Sequence, residues 1–465
     1  MSSRRRVSWH RSGVILFFFF ILFGLIIAGA PRASGDVASG PDYTSLPPVS
    51  LAGFDPVDAD PYGFTLHPTL PLGYVAHAGT PAFMDPELFN GSTVSEIDLE
   101  TGTVVRSFSV GLFPTDLAIT SDGSELFVVT STGGTLGRID LGSGAITEVA
   151  IVDSMLNPVG FPSSLALSPD ESQIFVTSNG SSFDGSSENL IVFDRPTLTV
   201  VDTVTIVGGL GRIAVRSDGR VVVPVGFPDD VFPSFPQVRV YDSTVTGWAQ
   251  LASIELDVDT ADFPAPIDVA LDPTTNVAYV TVLGGSNELF RIDVETLSLL
   301  PPWSLPGTET AQNGVTVDNE SGHVVITDFN AQQARVLDGG TGAVIATIVT
   351  GDQPNEVVVG AGRIWITSQL AEQLDMAILP GAYVRGEANG DGVVDIADAV
   401  TILAALFSGG MLDCEDAADL NDDGVLDLAD PIGLFSLLFS TGTTPSYPYG
   451  CPGADVTLDA LGCDR

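Results

Sequence analysis

The stretch Leu117-Ala118-Ile119-Thr120-Ser121-Asp122-Gly123, followed by Leu126-Phe127-Val128-Val129, decides how this chain folds. Two short apolar runs flank a Ser-Asp-Gly turn, which is the pattern of a tight β-hairpin. The phrase returns along the chain. It reads Phe64-Thr65-Leu66-His67-Pro68, Leu165-Ala166-Leu167-Ser168-Pro169-Asp170 and Ile213-Ala214-Val215-Arg216-Ser217-Asp218-Gly219. It continues as Val269–Pro273, Val315–Asn319 and Val357–Gly360. Partner strands recur at Ile174-Phe175-Val176, Ala278-Tyr279-Val280 and Ile364-Trp365-Ile366.

A second phrase follows each of the first six copies: an alternating strand that ends in aspartate. The six are Val94–Asp98, Leu136–Asp140, Leu190–Asp194, Val238–Asp242, Leu289–Asp293 and Ala334–Asp338. A short turn, often Thr-Gly, then leads to a fourth strand such as Thr103–Val110 or Ala343–Val349. The seventh copy is degraded to Leu374-Asp375-Met376 and lacks a fourth strand. Seven copies of four strands, spaced 42 to 56 residues apart, predict a mainly β chain with a seven-bladed β-propeller over residues 55–380. Blades stack because one sheet cannot bury both of its faces alone. A strand within Tyr43–Leu51, in the N-terminal segment 36–54, is the candidate for closing the ring and removing a sheet edge. The pattern resembles the YVTN and NHL-type propeller repeats of secreted and surface proteins, most visibly in Ile119–Val129 and Val192–Ile206. Such relatives include lactonases, lyases, adhesins and passive binding platforms, so the resemblance implies a fold and not a reaction.

Two acidic loops near the C-terminus carry the clearest chemistry. The first runs Glu387-Ala388-Asn389-Gly390-Asp391-Gly392-Val393-Val394-Asp395-Ile396-Ala397-Asp398. The second runs Asp419-Leu420-Asn421-Asp422-Asp423-Gly424-Val425-Leu426-Asp427-Leu428-Ala429-Asp430, 32 residues further on. Both place oxygen side chains at positions 1, 3, 5, 9 and 12 and glycine at position 6. Calcium takes roughly six to eight hard oxygen ligands, and the glycine permits the sharp turn around it. The expected ligands are Glu387, Asn389, Asp391, the Val393 carbonyl, Asp395 and Asp398, then Asp419, Asn421, Asp423, the Val425 carbonyl, Asp427 and Asp430. Two calcium ions follow as the expected cofactors. After each loop, Val400, Ile402, Leu403, Leu406 and Phe407 match Ile432, Leu434, Phe435, Leu438 and Phe439, a spacing that predicts one apolar face per helix. Packing of Leu403 and Leu406 against Phe435 and Leu438 is expected, with Pro431 at a helical N1 position.

This loop–helix duplication, over residues 384–441, resembles the type I dockerin family, whose calcium loops lack the entering helix of an EF-hand. The resemblance implies a small α-helical calcium-binding domain that attaches secreted proteins, often polysaccharide-degrading enzymes, to a cohesin-like partner. Position 1 of the first loop departs from the family in being Glu387. The pairs Ile396-Ala397 and Leu428-Ala429 replace the hydroxyl pairs of cellulosomal dockerins. Calcium binding therefore carries over, whereas a cellulosomal cohesin does not, and the expected partner is a cohesin-like or other protein.

The N-terminus reads as an export signal over residues 1–35: Arg4, Arg5, Arg6 and Arg11 precede the apolar run Gly13–Ala30. An uncleaved membrane anchor is the alternative, because the run is long enough to span a bilayer. Export places the protein outside the cell or on its surface. The formal charge is −42 and the chain has no lysine. Such a polyanion repels nucleic acid and anionic lipid, and the missing lysine excludes Schiff-base chemistry and a P-loop. Cys414, Cys451 and Cys463 lie at the C-terminal end, two of them in the tail 442–465, and allow three single bridges.

No compact catalytic motif is present. His67 and His323 read as turn residues, and neither a His-Glu-x-x-His nor a Gly-x-Ser-x-Gly pattern occurs. One constellation comes from the fold. The residues that open the seven innermost strands are Gly63, Asp116, Ser164, Arg212, Asp268, Gly314 and Glu356, and they are predicted to face the central funnel. Asp116, Ser164, Arg212, Asp268 and Glu356 then form either a site for a cation or polar ligand or a self-satisfied charge cluster. Two functions remain open at this point. One is an exported binding platform for a glycan or protein, attached through its calcium module. The other is a tethered propeller enzyme acting on polysaccharide or a lactone.

Overall fold

The computed structural model describes residues 43–379 and 383–440, apart from 52–59, 80–90, 100, 153–157, 179–189, 207, 227–234, 259–263, 285, 308–310, 320, 392 and 413, together with 445, 449, 461 and 463. The expected export signal, Gly392, Cys451 and most of the C-terminal tail lie outside the described residues.

Seven antiparallel sheets form the seven blades of a β-propeller. From inner to outer strand, blade 1 runs Pro61–Leu66, Leu72–His77, Thr93–Asp98 and Thr103–Ser109. Blades 2 to 6 repeat this order from Pro114, Pro162, Gly209, Ala265 and Gln312. Blade 7 has its inner three strands from Pro354–Gly360, Arg363–Ser368 and Gln373–Ile378. Its outer place is taken by Thr44–Ser50, paired antiparallel with Gln373–Ile378.

The aspartate at the end of the third strand in blades 1 to 6 explains why the repeat is so regular. Its carboxylate accepts a backbone N–H from the turn that follows: Thr101 N to Asp98 at 2.8 Å, Ser143 N to Asp140 at 2.7 Å, Thr197 N to Asp194 at 3.1 Å and Thr244 N to Asp242 at 2.9 Å. Thr296 N to Asp293 at 2.8 Å and Thr341 N to Asp338 at 2.7 Å complete the set. These side-chain turns fix where each strand reverses.

The core lies between blades. Tyr74, Val94 and Phe108 of blade 1 pack with Leu117, Leu126 and Ile139 of blade 2. At the ring closure, Val49 joins Trp365, Leu374 and Met376 of blade 7 against Phe64, Val75 and Ile97 of blade 1. No blade buries its apolar surface without a neighbour, so the ring is the folding unit.

Blade 4 departs from the expected pattern. Its inner strand is interrupted: Gly209–Leu210 and Ala214–Val215 both pair with Arg220–Gly226, and Gly211-Arg212-Ile213 lies outside the ladder. Pro224 sits in the stretch of the second strand facing this gap, and proline has no N–H to donate to a neighbouring strand.

Beyond the propeller, helix α1 (Ile396–Ser408), a short turn of helix α2 (Glu415–Ala418) and helix α3 (Ala429–Phe439) frame the two acidic loops. Ala399, Ile402 and Leu434 are buried where α1 meets α3, with Leu406, Phe435 and Leu438 packed partly against them. Leu403 is not part of this cluster, a departure from the expected packing. Pro431 is the third residue of α3 rather than the first. Its missing N–H is still among the four a helix cannot satisfy internally. Among the described residues no helix is long and apolar enough to cross a membrane.

Candidate functional site

The funnel is built by a repeated irregularity. Each regular inner strand opens with a register shift: Pro61/Phe64, Pro114/Asp116, Pro162/Ser164, Pro266/Asp268, Gln312/Val315 and Pro354/Val357. Five of the six begin at proline, whose missing N–H is tolerated at such a bulge. The bulge re-aims the side chain that follows. Glycine at two of the seven places allows close backbone approach. A Cβ on Gly63 would lie 2.8 Å from the Thr115 carbonyl oxygen, and one on Gly314 would lie 2.4 Å from that of Asn355.

The five polar residues named from the sequence come together. Arg212 Nη1 lies 3.4 Å from Asp268 Oδ2, and Nη2 lies 3.0 Å from Glu356 Oε2. Asp116 shares the field of this guanidinium and accepts a hydrogen bond from Ser164. The carboxylates are also spent on backbone N–H groups of neighbouring blades. Asp116 accepts from Leu117 N at 2.8 Å and from Leu165 N of blade 3 at 2.9 Å. Asp268 accepts from Val269 N at 2.8 Å and from Val315 N of blade 6 at 3.0 Å. Glu356 accepts from Phe64 N of blade 1 at 3.3 Å. Arg212 N donates to the Ile267 carbonyl of blade 5 at 2.9 Å. Each of the four charged residues therefore latches its own blade to the next, and Arg212 also reaches across the axis.

Tyr62 belongs to the cluster and was missed from the sequence; the Arg212 guanidinium lies 5.9 Å from its ring centroid. Its signal was its place directly after Pro61, one residue before the funnel position. A belt of threonines and asparagines surrounds the cluster. Thr281 Oγ1 donates to the Asn313 carbonyl at 2.6 Å, Thr327 Oγ1 to that of Asn355 at 2.8 Å and Thr367 Oγ1 to that of Tyr62 at 3.1 Å. These hydroxyls recur at the end of second strands, as in Val280-Thr281, Ile326-Thr327 and Ile366-Thr367.

Burial pushes the Asp116, Asp268 and Glu356 carboxyls above their ordinary values, with Arg212 pulling the other way; Glu356 is pushed up to about 8. Burial alone would lower Arg212, but Glu356, Asp268 and Asp116 outweigh it and hold the guanidinium charged. One cation facing three buried acids leaves a net negative charge, and a proton kept on Glu356, pushed up to about 8, lessens it near neutral pH. Chemically, the cluster is a proton-holding clasp around the axis.

The acidic loops are the second candidate, and their side-chain hydrogen bonding to the backbone repeats between the two halves. Glu387 Oε1 and Asn389 Oδ1 both accept from Asp391 N at 2.9 Å, and Asp391 Oδ1 accepts from Val393 N at 2.9 Å. Asp398 holds Ala388 N at 2.8 Å with one oxygen and Asp395 N at 2.8 Å with the other. In the second loop, Asp419 accepts from Asp422 N at 2.9 Å and Gly424 N at 2.8 Å, and Asn421 Oδ1 accepts from Asp423 N at 3.2 Å. Asp430 accepts from Leu420 N at 3.1 Å and Asp427 N at 2.8 Å. Asp395 caps α1, accepting from Ala397 N at 2.6 Å, and Asp427 accepts from Ala429 N at 2.6 Å at the start of α3, whose cap position is Leu428. Gly424 has φ 74°, in the left-handed region where glycine is favoured. Glu387, Asp398, Asp419 and Asp430 are 3% exposed or less. With Asn389, Asp391, Asp395, Asn421, Asp423 and Asp427 they make up a set of hard oxygen donors, the ligand type that suits a divalent cation such as calcium.

No known sequence family and no curated protein matches this chain. Among solved structures, the chain is similar to Kuenenia stuttgartiensis hydrazine synthase, with a TM-score of 0.56 and 14% identity over 68% of this chain and 95% of that one. At that identity the likeness speaks for the propeller fold alone.

Proposed function

We propose that the chain is an exported attachment protein: a propeller platform carried by a dockerin-like module that binds two calcium ions and docks to a protein partner at a surface or in an extracellular assembly. The observation that carries the reading is a duplicated apolar surface. Val393 and Val425 are 59% and 56% exposed, Ile396 and Leu428 51% and 47%, Val400 and Ile432 56% and 61%, and Phe407 and Phe439 69% and 71%. Each pair is separated by 32 residues, so both loop–helix halves present the same four apolar positions outward. Scattered apolar residues need no explanation, but two matching stripes on adjacent helices suit a partner. The sequence pattern had placed Val400, Phe407, Ile432 and Phe439 on the single apolar face of each helix. The helices carry more apolar residues than one packed face can hold, and these are the surplus.

For the propeller, binding is the reading we prefer over catalysis. The funnel mouth is filled by Arg212 and its partners, which leaves their hydrogen bonds committed to holding blades.

Calcium titration calorimetry of the exported chain, residues 36–465, tests the reading. Two ions taken up, with far-ultraviolet helicity rising on calcium and falling on chelation, are expected. No calcium uptake at millimolar concentration sinks it.

A further inference from the structure

Among its described residues the loop–helix module contains one buried cation, and it has no counterpart 32 residues on. Arg385 is 1% exposed and stands two residues before Glu387, the first oxygen residue of the first loop. Its guanidinium reaches the second loop. Nη1 donates to the Asp419 carbonyl at 2.6 Å and to that of Asp416 at 3.4 Å, and Nη2 lies 2.9 Å from Asp422 Oδ1. Nη2 also donates to the Tyr383 hydroxyl at 2.9 Å. Asp419 and Asp422 are positions 1 and 4 of the second loop, and Asp422 holds a positive φ of 60°.

The backbone follows the same path. Gly386 N donates to the Ala417 carbonyl at 2.7 Å. A Cβ on Gly386 would lie 3.1 Å from Leu420 and 3.3 Å from Val394, which belong to the two different loops. Tyr383 packs on Cys414 and Ala417, beside the Cys414–Cys463 disulfide. The segment Tyr383–Glu387 is thus fastened to the second loop while it opens the first. At the corresponding place 32 residues on stands Ala417, so the arrangement occurs on one side only.

We propose that Arg385 is a positioning residue that couples the two acidic loops, so that an ion bound in one raises the affinity of the other. The inference rests on the calcium reading above. Ordering the second loop around an ion fixes the Asp419 carbonyl and Asp422. Arg385 then fixes Glu387 two residues away, and the first loop pays less ordering entropy when its own ion arrives. Linkage makes the effect reciprocal. Asp422 is not among the expected ligands, so its role in this scheme is to hold the guanidinium.

The test is calcium titration calorimetry of the exported chain with the second loop intact or disabled by Asp423→Ala. In the native background, disabling the second loop is expected to weaken the first by about fivefold or more. In the Arg385→Met background the same change is expected to leave the first loop's affinity unaltered. Asp422→Asn breaks the ion pair, keeps every expected ligand and serves the same purpose if Arg385→Met does not fold; coupling is expected to drop there too. Equal weakening in all backgrounds, or none in the native one, overturns the proposal. Absence of any calcium uptake by the native chain overturns the calcium reading instead.

Discussion

Arg212 Nη2 lies 3.0 Å from Glu356 Oε2, so a residue of blade 4 is paired across the axis with one of blade 7. Both side chains are largely buried, and both also tie their own blade to the next. The pairing follows from two local defects. The gap in the inner strand of blade 4 frees the chain at Gly211-Arg212-Ile213, and the bulge after Pro354 turns Glu356 inward.

Replacing Arg212 by alanine leaves the buried Asp116, Asp268 and Glu356 without their cation. Breaking a buried pair by removing one partner costs about 3–5 kcal/mol. We expect Arg212→Ala to lower the urea midpoint of the propeller by that order, read from the near-ultraviolet signal of its buried aromatics. A midpoint equal to that of the native chain would show that the cluster does not hold the ring.

The same cluster sets a pH dependence. Burial raises Glu356 from 4.5 in the unfolded reference to about 8 in the fold, with Asp116 and Asp268 adding and Arg212 subtracting. Between these values the folded chain holds a proton that the unfolded chain releases. The stabilisation tied to that proton is full below about pH 4.5, falls as pH rises, and is gone above about 8. The slope for one proton approaches about 1.4 kcal/mol per pH unit. Glu356→Gln is expected to flatten this part of the curve and to be the more stable form at pH 9. Parallel curves for the two proteins from pH 5 to 9 would refute the assignment.

Close approach at the funnel predicts a third effect. The Cβ of a Gly314→Ala variant meets the Asn355 carbonyl oxygen at 2.4 Å and the Val357 nitrogen at 3.1 Å. Backbone atoms on two blades must shift to admit it, at a cost of about 1–3 kcal/mol. Gly247→Ala is the control, since no atom lies within 4 Å of its added Cβ; it meets only the penalty of its positive φ of 75°. Denaturant unfolding of the pair should show Gly314→Ala as the weaker protein, and the reverse order would contradict the packing described.

What the sequence disclosed and what it hid divide along range. The hairpins were legible because aspartate, glycine and threonine act on their own turns, as Asp98 and Asp140 do. The funnel residues were legible because a repeat aligns them. The break in blade 4 was not, because Pro224 acts on a different strand. Tyr62 was hidden because the bulge that brings its ring near Arg212 is a pairing event rather than a motif, although proline stands two places ahead of five of the seven funnel positions. In the acidic loops the oxygen spacing was plain, whereas Arg385 reaches a loop 34 residues away at Asp419, and no local pattern announces that contact. Which of the apolar helix residues would face outward depended on how α1 and α3 cross.

That outward surface supplies the last prediction. Val400 and Ile432 are 56% and 61% exposed, and neither belongs to the cluster formed by Ala399, Ile402 and Leu434. Changing both to glutamate should leave folding within about 0.5 kcal/mol of the native chain, as for most surface substitutions. It should also leave calcium uptake unchanged, because no expected ligand is touched. The difference should appear in apolar contact. If calcium orders both loop–helix halves, the paired stripes are presented together only in the loaded state, and the native chain should be retained on a phenyl-substituted matrix in calcium and released by chelator. The Val400→Glu, Ile432→Glu double variant should pass through in both conditions. Retention that ignores calcium, or that survives the double change, would mean that the stripe on α1 and α3 is not the docking surface.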